Sequence, residues 1–72
     1  MTRDEAIESC RCLVKAHKEL DNAIEDIRNS PDVHGLSKLC AVSQKERVDF
    51  GLQRLFCYVM GEFKLTPADL DK

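Results

Sequence analysis

The chain is poor in the residues that interrupt regular structure. It holds three glycines and two prolines in 72 residues, which favours long unbroken elements. It has no long apolar run. The longest, Leu55 to Met60, spans six residues and falls far short of the roughly 20 needed to cross a bilayer as a helix. The charged start, Arg3 to Glu5, has no apolar stretch behind it, so no secretory signal is expected. A cytoplasmic location follows as the expectation, with the four cysteines kept as thiols.

Charge of one sign is also lacking. The formal net charge is −2, and nonspecific nucleic-acid binding usually shows a clear basic excess. Nor are the acids dense enough to mimic a DNA backbone. No Walker, dinucleotide, G-x-S-x-G or H-E-x-x-H pattern occurs. Cys10 and Cys12 lie two apart on a helix, roughly 200° around it, so they cannot grip one ion together. No other cysteine spacing suits zinc. The expectation is therefore no enzyme, no cofactor and no metal.

What is present is a helical pattern. Hydrophobic residues make up 43% and charged residues 33%, the composition of a folded domain. Thr2 with Glu5 forms a T-x-x-E capping box. Behind it, Ala6, Cys10, Leu13, His17, Leu20, Ile24 and Ile27 recur at spacings of four and three. They predict one apolar stripe on a helix over residues 3–28. Cys10 on this stripe reads as a small hydrophobe. His17 reads as a buried histidine bonded to a neighbour. Asn29-Ser30-Pro31-Asp32 stops the helix, and Ser30 and Pro31 suit the cap and first residue of another.

The rest of the chain to Phe63 is helical with two phases. Val48, Leu52, Leu55, Val59 and Phe63 form a clean stripe expected to cover the first helix. Val33, Leu36, Leu39 and Cys40 lie on a face rotated by roughly 130° from it. Either the helix breaks near Val42-Ser43, where Ser43 and Glu46 form a second capping box, or it runs straight. The first case gives helices near 3–28, 31–41 and 44–63. The fold class is thus all-α: an antiparallel helical hairpin or small three-helix unit, expected to dimerise into a helical bundle. Residues 1–63 form the single helical domain and 64–72 a C-terminal tail.

Away from the clean stripe lie Arg47, Phe50, Arg54, Cys57 and Tyr58. Aligned aromatics with arginines make a patch that normally meets something. This face is the candidate for self-association or for a partner protein. A lone hairpin has little interior, so a homodimer is expected. Lys38, Lys45, Arg47 and Arg54 make the middle of the chain mildly basic and are candidates for contacting an acidic partner. The leading expectation is a non-enzymatic module that binds another protein stoichiometrically as adaptor, inhibitor or regulator. Phages and other mobile elements carry many small inhibitors of this kind.

A second expectation is a DNA-binding regulator with a degenerate helix-turn-helix over residues 36–54. Ala41-Val42-Ser43 would form the turn, and Gln44, Lys45 and Arg47 would meet the nucleic acid. The pattern departs at Arg47, which stands where the second helix needs a core apolar residue.

Overall fold

The computed structural model describes residues 1–71, so Lys72 of the expected tail lies outside the described residues. Three helices follow one another: α1 (Arg3–Asn29), α2 (Gly35–Glu62) and α3 (Pro67–Leu70), with no strand among the described residues. α1 and α2 pack against each other as an all-α hairpin, and α3 packs on α1.

The start of α1 is set as its sequence dictates. Thr2 accepts the Glu5 backbone N–H at 3.2 Å, and Glu5 accepts the Thr2 N–H at 3.3 Å. Two N–H groups that the helix cannot satisfy internally are thereby bonded. At the other end the Ser30 N–H bonds to the Ile27 carbonyl at 3.3 Å. Ser30 therefore closes α1 and does not open the next helix. α2 begins four residues past Pro31, capped by His34, whose Nδ1 accepts the Leu36 N–H at 3.1 Å.

α2 runs 28 residues without a break. The interruption considered at Val42-Ser43 does not occur, and the segments expected over 31–41 and 44–63 are one helix. Neither glycine nor proline stands there to stop it. Lys45 and Asp49, four apart, form an ion pair at 2.5 Å just beyond that point and Lys45 also reaches Asp21 on α1 at 2.7 Å. The helix is thus tied to α1 where a turn would have to be.

α2 ends in a Schellman closure. The Leu65 N–H bonds to the Met60 carbonyl at 2.9 Å and the Lys64 N–H to the Gly61 carbonyl at 3.4 Å. Lys64 takes the left-handed conformation this needs, with φ 51°, a position usually given to glycine. The closure turns Leu65 inward. It is buried against Ala6 and Cys10, with Ile7, Phe56, Met60 and Phe63 around it. The segment expected as a tail therefore folds back. α3 is held by Arg3, 3.2 Å from Asp69, and by Arg11 Nε, which donates to the Leu70 carbonyl at 3.1 Å.

The core is small. Among the described residues the buried apolar side chains are Ala6, Cys10, Ile24 and Leu65, and none lies on α2. The molecule measures 45 × 20 × 17 Å, with a radius of gyration of 15.2 Å. A compact domain of this length would have about 11 Å. The side of α2 turned to α1 carries Lys45, Asp49, Leu52, Phe56, Met60 and Phe63, all half-buried. Leu52, Val59 and Phe63 of the expected stripe are half-buried, but Val48 and Leu55 stay 47% and 52% exposed. The contact line is therefore rotated away from the apolar stripe, toward Asp49 and Phe56.

Candidate functional site

Two constellations stand out, one in the seam between the helices and one on the outer side of α2. The seam is polar at its middle. Lys45 Nζ lies 2.7 Å from Asp21 Oδ1 and 2.5 Å from Asp49 Oδ2. His17 Nδ1 lies 2.9 Å from Asp49 Oδ1, and its Nε2 3.5 Å from Asp21 Oδ2. His17 was expected to be buried. It has the expected hydrogen-bonded neighbour, but its side chain is 49% exposed, because it sits at the edge of the contact.

The charges in this seam hold one another. Hydrogen bonding to Asp21, then to Asp49, raises the Lys45 amine above its ordinary value, against an opposing desolvation. Hydrogen bonding from Lys45 lowers the Asp49 carboxyl, with desolvation opposing and His17 assisting. Ligand atoms of His17, Asp21 and Asp49 fall within 4.8 Å of one another, so these three side chains have a reach that suits a metal ion. The Lys45 ammonium already neutralises both carboxylates. A cation entering there would first have to displace it. The sequence hid this group because its members come from two helices and only the pairing of the helices unites them.

Beside the seam a shallow cleft is lined by Leu13, Val14, His17, Asp49, Leu52, Gln53 and Phe56. Its lining is mostly apolar with one ion-paired edge. Nucleophilic chemistry has little support: Cys10 is buried and its thiol is pushed up by desolvation, which disfavours the thiolate. Cys12, Cys40 and Cys57 are free and exposed. Cys40 and Cys57 lie on the outer side of α2.

That outer side gathers the candidate binding residues. Phe50, Arg54 and Tyr58 follow one another at intervals of four, so they stack along one helix edge. The Arg54 guanidinium carbon lies 5.6 Å from the Phe50 ring centre and 5.7 Å from that of Tyr58. Arg54 also donates to the Tyr58 hydroxyl at 2.6 Å. The rings remain 62% and 60% exposed. Arg47 and Cys57 are exposed beside them. Leu36 and Leu39 extend the patch toward the loop, and both are largely exposed.

The four basic candidates do not share one surface. Arg47 and Arg54 point outward with the aromatics. Lys45 is spent in the seam on Asp21 and Asp49, and Lys38 is half-buried on the side turned to α1. The turn that a helix-turn-helix would need at Ala41-Val42-Ser43 is continuous helix. No helix among the described residues is long and apolar enough to cross a membrane. Set beside family models, curated proteins and solved structures, the chain matches none of them.

Proposed function

We propose that this chain is a non-enzymatic module that binds another protein stoichiometrically, as adaptor, inhibitor or regulator. One observation carries the reading: the exposed Phe50–Arg54–Tyr58 ladder on the outer side of α2. Aromatic and arginine side chains dominate binding hot spots. Here the arginine is already held between two rings, so less side-chain freedom is lost when a partner arrives. The mechanism is occlusion. A rigid helix face is laid into a groove, with Phe50 and Tyr58 as anchors and Arg47 and Arg54 meeting acidic groups at the rim.

The test is capture by the tagged chain from its source cells, compared with Phe50→Asp. Both chains must show the same helical circular dichroism. The reading expects one protein retained in fixed ratio by the native chain and a loss of at least ~30-fold in affinity with Phe50→Asp, given hot-spot costs of about 2 kcal/mol or more. Equal retention by both chains contradicts it. So does recovery of nucleic acid alone, released steeply by salt.

A further inference from the structure

The hairpin has a second bare side, and it differs in character from the outer face of α2. On antiparallel right-handed helices, equal rotations from the contact line fall on the same side of the hairpin. Val14 and Gln53, rotated in one sense, do line a single cleft. α3 lies on that same flank, bonded to Arg3 and Arg11. Rotation in the opposite sense leads to Ser9, Ala16 and Ala23 on α1 and to Ala41, Val48 and Leu55 on α2. Between Glu5 and Glu62 at one end and the interhelical loop at the other, this side carries no Asp, Glu, Lys or Arg among the described residues. The charged groups of the seam, Asp21 and Asp49, lie toward the other side.

We infer that this charge-free side is covered by a second copy of the same chain, forming a four-helix bundle. Three observations favour a copy over an unrelated partner. First, the area fits. The chain exposes 5519 Å², whereas a folded monomer of its 8.2 kDa would expose about 4,500 Å². The surplus of about 1,000 Å² matches the roughly 800 Å² that each partner buries in a standard interface.

Second, the phase fits. The stripe of Val48, Leu52, Leu55 and Val59 is rotated about 65° from the line where α2 meets α1. A helix in a four-helix bundle has two neighbours at right angles, so its apolar stripe points about 45° off either one. The offset that makes α2 a poor partner for α1 alone suits it to a bundle, and it turns toward the charge-free side.

Third, the ends and the small residues choose a geometry. A twofold axis along the hairpin would bring Glu5 and Glu62 of both copies together. An axis across it separates them and stacks α1 on α1 in antiparallel fashion. Ala16 then meets its own counterpart and Ser9 falls near Ala23. Small residues at these levels let the two α1 backbones approach, and Val48 and Leu55 fill the space between the α2 helices. This assignment uses a different face from the Phe50–Tyr58 ladder, so the two readings fail separately.

Sedimentation equilibrium at micromolar concentration tests it, using the native chain, Ala16→Glu and Phe50→Asp. The native chain is expected at twice the 8.2 kDa chain mass, and Phe50→Asp with it. Ala16→Glu, exposed in the single hairpin, is expected to weaken association on the order of 100-fold or more by burying an unpaired charge. Should Ala16→Glu be unfolded, dilution of the native chain decides. Helicity that falls on dilution supports the copy, and helicity that does not change overturns it. A native chain at the single-chain mass overturns it, as does a dimer broken by Phe50→Asp and not by Ala16→Glu.

Discussion

Two single residues carry local costs that can be measured. Lys64 holds a left-handed conformation at φ 51° so that Leu65 can turn into the core. A side chain there is disfavoured, whereas glycine is not. Lys64→Gly is expected to raise stability by about 0.5–1 kcal/mol in urea denaturation, with unchanged helicity. A loss would mean that the turn is not made as described. Asp49 has a carboxyl lowered from its ordinary 3.8, first by Lys45. A depressed acid contributes stability above its unfolded value and loses it as pH falls through the lower folded value. The Lys45 amine is raised from 10.5, so its contribution is full below that value and fades as pH rises through the higher folded one. Thermal stability is therefore expected to drop at both extremes. Asp49→Asn should flatten the acid limb; an acid limb of unchanged slope would contradict the pairing.

At the scale of elements, α1 was legible and α2 only in part. The capping box of Thr2 and Glu5, with a single stripe from Ala6 to Ile27, left α1 one way to fold. α2 carries apolar residues around its whole circumference, so its stripe did not reveal which side meets α1. Ser43 and Glu46 formed a capping signature that the structure does not use, because the Lys45–Asp49 pair and its bond to Asp21 favour continuing the helix. That bond joins residues 24 apart in sequence, and no local pattern announces it. The Leu65 turn was hidden for a similar reason: it needs a lysine in a conformation normally left to glycine. Gln44 separates the two descriptions of α2. At the first position of a new helix proline is tolerated; inside a continuous helix it costs about 3 kcal/mol or more. Gln44→Pro is exposed and is expected to show the larger loss in denaturation. A change under ~1 kcal/mol would place a helix start at Ser43 after all.

At the scale of the whole molecule, the governing fact is an incomplete interior. Four buried apolar residues among those described are a weak core for a chain of this size, and cores this small rarely supply more than ~3–5 kcal/mol without help. The free cysteines give no covalent staple. Two bare surfaces remain, an aromatic–arginine ladder outside α2 and a charge-free side spanning both helices. The candidate residues Phe50, Arg54, Cys57 and Tyr58 could be named from spacing alone, since one helix carries them all. The charge-free side could not be named that way, because it exists only once α1 and α2 are paired in the right rotation.

Association that completes the core should make stability depend on protein concentration, since mass action favours the folded assembly. The most direct measurement is the thermal midpoint of the native chain, followed by circular dichroism from low to high micromolar concentration. A midpoint that climbs steadily with concentration is the expected result. A midpoint that stays fixed across the series, for a chain that melts as a cooperative single hairpin, would contradict the account.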